Sequence, residues 1–329
     1  MARKTTIAWI VASLAATAGG LPATTSQAAD WRPVWASPEV PSYQTSLGVR
    51  YWYGWAKTGK DLFDTTGSAL VSRLTYDKLN SHAAEIFGRF EHSYGWYVKG
   101  FAGGGALVNG TLKDEDFPPF IAPYSSTTSD QMNGGLGYAN IDLGINLVKG
   151  ADFKIGAFVG YHLLYQKVNA RGCSQTASNL AVCNPAIITD ILVITQNNWW
   201  HSLRVGLEGE LSFDRFKLNL EGAYLPYVRL QGSDAHWLRI PSSFTGPVPE
   251  DGTGWGYHVE AVLSYQVTPV ISLGIGGRYW HMETKGNTHF EGHVTTGTGS
   301  PQPVNWKTDI AGVFIQANFK LDAYINSGR

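Results

Sequence analysis

Along most of this chain apolar and polar residues alternate one by one, and a segment of that kind settles as a strand with two unlike faces. In HSLRVGLEGELSF, Leu203, Val205, Leu207, Leu211 and Phe213 share one parity, while Arg204, Glu208, Glu210 and Ser212 share the other. IDLGINLV repeats the pattern with Asp142 and Asn146 on its polar side, and YHVEAVLSYQV does so with Glu260, Ser264 and Gln266. VISLGIGGRYW sets Ile271, Leu273, Ile275 and Tyr279 against Ser272 and Arg278. The connectors alternate too. Some are very short (Ser93-Tyr94-Gly95, Lys149-Gly150-Ala151, Asp214-Arg215, Val267-Thr268-Pro269), and others are long and polar, around 57–69, 109–133, 169–195, 231–254 and 284–303.

Two architectures satisfy such strands. A secreted β-sandwich turns its polar faces to water. A transmembrane barrel turns its apolar faces to lipid, and joins its strands by short turns at one end and long loops at the other. Opposite charges on the polar face, such as Arg89 near Glu85 and Glu91, suit a narrow hydrated interior filled by side chains. Charged residues make up 16% of the chain, against about 25% in an average soluble domain. Twelve Trp and 16 Tyr fit aromatic girdles at two membrane interfaces. The expected fold is therefore all-β: a ten-stranded antiparallel transmembrane β-barrel with short periplasmic turns and long extracellular loops. A barrel of about ten strands has little room for a diffusion channel.

The N-terminus reads as an export signal. Arg3 and Lys4 precede the apolar run IAWIVASLAATA, and Ser26-Gln27-Ala28 supplies small residues for cleavage. The expected organisation is a signal peptide at 1–28, a periplasmic segment at 29–44, the barrel at 45–321 and a tail at 322–329. Phe319 takes the place of the aromatic residue that usually ends an outer-membrane barrel. No later run reaches the roughly 18 apolar residues of a membrane helix. Cys173 and Cys183 lie ten apart in a polar stretch, and in an exported chain they are expected to form a loop-closing disulfide, with two free thiols as the alternative. A net charge of -1 argues against nucleic acid as a partner.

Two clusters at the ends of long-loop strands carry chemistry. Asp114 and Asp116 are spaced by two, as are Asp234 and His236, so each pair shares a face on extended backbone. If both faces point into the barrel mouth, three carboxylates and an imidazole line one cleft. A carboxylate beside an imidazole orients it and raises its pKa, and a second carboxylate pair can hold a water and share a proton. The same spacings occur in ordinary solvated loops, and paired carboxylates also ligate metals.

These clusters and their surroundings resemble the omptin family of outer-membrane aspartyl-type endopeptidases. The matching stretches, in order, are SLG at 46–48, SRL at 72–74, Asp114-Glu115-Asp116, YAN at 138–140, ARG at 170–172, VGL at 205–207, Asp234-x-His236, VTP at 267–269 and KGNT at 285–288. The resemblance implies a surface hydrolase acting on peptides or proteins. It makes Asp234 the orienting carboxylate, His236 the general base, and Asp114 with Asp116 the water-holding pair, with no metal or organic cofactor. It also brings in outer-membrane lipid, including lipopolysaccharide as an activator. The chain departs from the family in two places. Ala56 and Gly232 stand where members that cut between basic residues carry an acidic pocket, and Tyr165 stands at one of the lipopolysaccharide-binding positions. The alternative is a non-enzymatic barrel of the same ancestry, acting as an adhesin or structural surface protein.

Other motifs fail on context. Gly54-Trp55-Ala56-Lys57-Thr58-Gly59-Lys60 is followed by Asp61 where a phosphate loop needs Ser or Thr. Gly274-Ile275-Gly276-Gly277 lies inside an expected strand. Neither the H-E-x-x-H zinc signature nor a serine nucleophile elbow occurs.

Overall fold

The computed structural model describes residues 43–117, 122–243, 245–290, 292 and 299–321. The expected signal peptide and the 322–329 tail lie outside the described residues. So does the expected periplasmic segment up to residue 42, whereas Tyr43 and Gln44 already belong to the first strand.

The strands, in chain order, are β1 (Tyr43–Phe63), β2 (Leu70–His92), β3 (Trp96–Asp116), β4 (Ser125–Gln131), β5 (Gly134–Lys149), β6 (Phe153–Gln175), β7 (Ile187–Phe213), β8 (Phe216–His236), β9 (Val248–Gln266), β10 (Ile271–Thr288) and β11 (Gln302–Lys320). All neighbours are antiparallel, and β1 pairs with both β2 and β11, so the sheet closes on itself. The eleven strands occupy ten places in the ring. β4 pairs with the far ends of β3 and β6, and β5 pairs with the remainder of the same two strands. They are two halves of one wall position, broken at Met132–Asn133, where Asn133 takes a φ of 55°.

The short connectors are the turns expected. They join β2 to β3, β5 to β6, β7 to β8 and β9 to β10, all at one end. The segments read as long loops are a different matter. Much of each is strand: β1 continues to Phe63, β7 begins at Ile187 and runs for 27 residues, and β10 continues to Thr288. A tilted strand needs only about 9–11 residues to cross a bilayer, so the walls continue well beyond it at the loop end.

Burial is inverted relative to a soluble sandwich. Leu203, Val205 and Leu207 are exposed, while Arg204 between them is 2% exposed. Ile141 and Leu143 flank a fully buried Asp142 in the same way. Apolar residues therefore cover the outside and charged residues fill the lumen, as lipid on the outer face requires. Exposed aromatics frame this belt, with Tyr43, Trp96, Phe216 and Phe319 toward the turn end and Tyr53, Trp55, Trp199 and Trp255 toward the loop end. Beyond the loop-side aromatics the outer wall becomes charged, with Arg229 meeting Asp251 at 2.8 Å and Arg73 meeting Asp61 at 2.6 Å.

Lumen charges are paired across the barrel. Glu85 accepts from Arg50 at 2.7 Å and from Arg278 at 2.8 Å. Arg89 pairs with Glu91 at 3.0 Å and Glu208 at 2.7 Å, and not with Glu85 as the sequence suggested. Four positions along a strand is about 13 Å, too far for a side-chain contact along one edge. Above this ionic layer Trp52, Tyr138 and Trp280 pack edge to face at centroid distances of 5.0–5.3 Å. Arg278 lies 4.2 Å over the Phe101 ring. Gly312 makes room for this layer, because a Cβ there would lie 1.8 Å from the Trp52 indole nitrogen. Aromatic rings and guanidinium groups thus fill the middle of the lumen.

The refolded barrel is expected to remain electrically silent in a planar bilayer, and steady single-channel currents would contradict this packing. Arg278→Ala leaves Glu85 and Glu260 short of a buried partner. It should cost about 3–5 kcal/mol, read as a lower temperature for loss of the SDS-resistant form.

Candidate active site

Strand parity decides which residues enter the cleft, and two irregularities set it. In the lower part of β8 the inward residues are odd-numbered, including Ala223 and Leu225, both buried. Pairing with β9 then slips between Leu225 and Val228. Pro226 sits in the slip, where a strand tolerates a residue without an N–H. Beyond it the inward residues are even-numbered: Val228, Leu230 and Asp234, with His236 after them. Between β2 and β3 the register shifts on both sides of Asn80, next to Lys78 with a φ of 54°. Below the shift Ala83, Glu85 and Leu107 are buried, and beyond it Leu74, Tyr76 and Leu112 are. A one-residue slip moves every following side chain to the other face. Without these slips Asp114, Asp116, Asp234 and His236 would face outward.

The structure brings all four together. They line one cavity of about 230 Å³ at the loop end, with Lys60, Arg239 and Glu250. The end of β8 is pinned beside it: Trp237 donates its backbone N–H to Val193 O at 2.9 Å and its indole N–H to Thr195 Oγ1 at 2.9 Å. The cavity lies level with the charged outer wall, beyond the lipid-facing belt.

Asp234 is the hub. His236 Nε2 lies 2.9 Å from its Oδ2, and Lys60 Nζ donates to the same oxygen at 2.6 Å. Burial works to raise the Asp234 pKa, but His236 and Lys60 outweigh it and hold the carboxyl well below its ordinary range. An ionised carboxylate only accepts. Nε2 therefore carries the proton of neutral His236, and Nδ1 carries the lone pair. Burial disfavours the His236 imidazolium, yet Asp234, helped by Asp114, outweighs it and lifts the pKa above the histidine value. Among the described residues no Lys or Arg makes a salt bridge to Asp114, and Arg239 acts on it only weakly. Burial is the main force on it, opposed by His236 and reinforced by Asp116 and Asp234, and pushes its pKa up to about 6. Burial also raises Asp116, against the pull of Arg239.

Lys60, Glu250 and Gln196 were not among the sequence candidates. Lys60 Nζ donates to Glu250 Oε1 at 2.5 Å, and Gln196 Nε2 donates to Glu250 Oε2 at 2.8 Å. Lys60 belongs to the segment dismissed as a phosphate loop, all of which is strand β1. Its inward parity with Trp52 was the available signal. Ala56 lies two inward positions deeper, packed opposite Leu79 and Ile310, and does not line the cavity. Gly232 pairs with Glu250 across β8 and β9. Elsewhere, a disulfide joins Cys173, near the loop end of β6, to Cys183 in the connection to β7. A second cavity, about 750 Å³, lies at the turn end among the paired lumen charges. Among the described residues no group of three His, Cys, Asp or Glu side chains is arranged to hold a metal ion.

The fold and this mouth define a plugged outer-membrane-type barrel with a cleft of carboxylates and a histidine at the loop end. The chain belongs to the Omptin family, whose sequence model matches residues 43–312. In a structural comparison it is similar to the outer membrane protease OmpT from Escherichia coli, at 18% identity and a TM-score of 0.67, over 84% of this chain and 97% of that one. The translocator domain of autotransporter NalP from Neisseria meningitidis matches at 10% identity and a TM-score of 0.34, over 83% and 88%. No curated protein sequence matches the chain. Family and fold place the protein in the outer membrane of a Gram-negative bacterium, with the short turns in the periplasm and the cavity at the cell surface.

The raised pKa of Asp114 has a consequence for stability. Below its unfolded value of 3.8 the group is protonated in both states and contributes nothing. Between there and its folded value of about 6 the unfolded chain ionises first, so stability falls as pH rises. Above the folded value the loss is complete, on the order of 3 kcal/mol. Asp114→Asn should therefore stabilise the barrel at pH 8 and have little effect at pH 3.5, measured as the midpoint of heat conversion in detergent. An equal shift at both values would show that Asp114 is not held in this way.

Proposed function

We propose that the protein is a surface endopeptidase in which His236 activates water for attack on a peptide carbonyl. The observation that carries the reading is the single cavity shared by Asp114, Asp116, Asp234 and His236, with His236 tied to Asp234 through Nε2. Family membership and likeness to a barrel named as a protease support it.

Each residue has a role consistent with its setting. Asp234 fixes the tautomer and orientation of His236, leaving Nδ1 free to take a proton from water. Asp114 and Asp116, across the cavity, hold that water. With a pKa near 6, Asp114 can keep or release a proton close to neutral pH. The hydroxide equivalent adds to the carbonyl carbon, and the His236 proton then passes to the departing amine as the C–N bond breaks. Acid–base help of this kind contributes about 10²–10⁴-fold. In this reading the reaction is of the aspartyl type, and the substrates are peptides or exposed protein segments at the cell surface.

The test is cleavage of a randomised peptide library by the refolded barrel, with and without lipopolysaccharide. His236→Ala and Asp234→Ala should lower kcat by at least about 10²-fold while keeping the SDS-resistant band. A folded His236→Ala variant that cuts at the wild-type rate overturns the proposal. A folded wild type that cuts nothing in either lipid condition favours the adhesin or structural reading.

A further inference from the structure

The mouth cavity contains a cation of its own. Lys60 is 7% exposed, and its ammonium bridges Asp234 at 2.6 Å and Glu250 at 2.5 Å, with Gln196 Oε1 at 3.2 Å. Building on the peptidase reading, we propose that Lys60 is a built-in occupant of the acidic end of the cavity. The cleft then accepts an uncharged, apolar side chain beside the scissile bond and rejects lysine and arginine.

Three observations support this. First, the carboxylates at the Lys60 end of the cavity, as distinct from the water-holding Asp114 and Asp116, already have cation or amide partners. Glu250 offers Oε1 to Lys60 and Oε2 to Gln196, and Asp234 Oδ2 serves both Lys60 and His236. A second cation beside Glu250 would have to displace Lys60 from a buried pair or lie against its ammonium, and either is costly. Second, the rest of the wall is largely apolar. Leu62, Val71, Leu74, Val248, Phe290 and Val304 line it. At about 230 Å³ it is smaller than the roughly 300 Å³ at which small-molecule pockets begin, a size suited to one side chain.

Third, Gly232 gives Glu250 its place. A Cβ at position 232 would lie 2.7 Å from Glu250 Oε2 and 3.2 Å from Asn198 Oδ1. Any larger residue there forces Glu250 Oε2, the oxygen held by Gln196, to shift and so disturbs the carboxylate that Lys60 pairs with. Gly232, Glu250 and Lys60, on three strands, form one unit, in which β9 supplies an acid and β1 supplies the base that neutralises it.

The experiment is specificity profiling of the refolded barrel with paired fluorogenic peptides that differ only in Leu, Lys or Arg beside the cut site. The wild type should prefer Leu. Lys60→Ala should free Glu250 and Asp234, raising kcat/KM for the Lys and Arg peptides relative to Leu by about tenfold or more. Lys60→Ala combined with Glu250→Gln should lose that gain. If Lys60→Ala does not give the SDS-resistant form, Lys60→Gln serves in its place with the same expected direction. A wild type that cuts beside Lys or Arg, through a His236-dependent reaction, overturns the specificity proposal and leaves the peptidase reading intact. So does an unchanged Leu-to-Lys ratio in a folded Lys60 variant. A folded wild type that cuts no peptide overturns both.

Discussion

Lipid on the outside leaves the backbone no partner but itself, and the rest of the structure follows from that constraint. An unpaired backbone group in hydrocarbon costs several kcal/mol. The sheet must therefore close, and it does so where β1 meets β11 from Ser46 to Leu62. Closure in ten places makes a lumen narrow enough for side chains to fill. With apolar residues committed to the outer face, charged residues can go only inward, where they must find one another. Arg50, Glu85, Arg278 and Glu260 form such a chain across the barrel, and Lys99, Glu221 and Arg204 form another. The aromatic layer above them separates the two ends, so the mouth cavity is a blind cleft reached from the loop end.

The fold was legible because period-two alternation and turn length are local properties. Gly95 and Asp214 mark tight turns whose positions need no tertiary information. Strand length was less legible, for a physical reason. Beyond the membrane the outer face is wet and the buried inner face mixes polar with apolar residues, Thr58 and Lys60 on β1 and Met282, Thr284 and Thr288 on β10, so both strands lose the apolar stripe and read as loop. The candidate site was legible in part. Residues spaced by two stay on one face whatever happens below them, so Asp114 with Asp116 and Asp234 with His236 could be read as pairs. Which face they share depends on slips elsewhere in the strands. Pro226 was a visible marker of one slip, since a proline in a paired strand needs a bulge.

Lys60 was hidden for a different reason. Its partners Asp234 and Glu250 lie 174 and 190 residues away, and only barrel closure brings β1 opposite β8 and β9. The resemblance selects Ala56 on β1, but the cavity is reached two inward positions later, at Lys60. The result alters the dyad itself. Asp234 answers to two cations, so the His236 imidazolium receives less of its field than an isolated Asp–His pair would provide. Lys60 therefore holds down a histidine pKa that Asp234 holds up, which keeps more of the imidazole neutral, as the proposed role of a base requires.

Asp114 distinguishes this cleft from the lumen below it. Glu85, Glu91 and Glu221 each meet at least one Lys or Arg, the arrangement that makes burial of a charge tolerable. Asp114 faces a histidine whose charge depends on pH, beside two further carboxylates and with only a weak pull from Arg239, and its own ionisation is displaced toward neutrality. Such a placement lowers stability at the pH of a cell surface. A barrel serving only as a scaffold or an adhesive wall gains nothing from it, and Asn at this position would remove the cost. A peptidase does gain, because a carboxyl poised near pH 6 can hold water as an acceptor and also share a proton with it, and displaced titrations of this kind gather at functional sites. The setting of Asp114, a buried carboxyl sharing one cavity with His236, Asp116 and Asp234, therefore fits the proposed peptidase better than a purely structural wall.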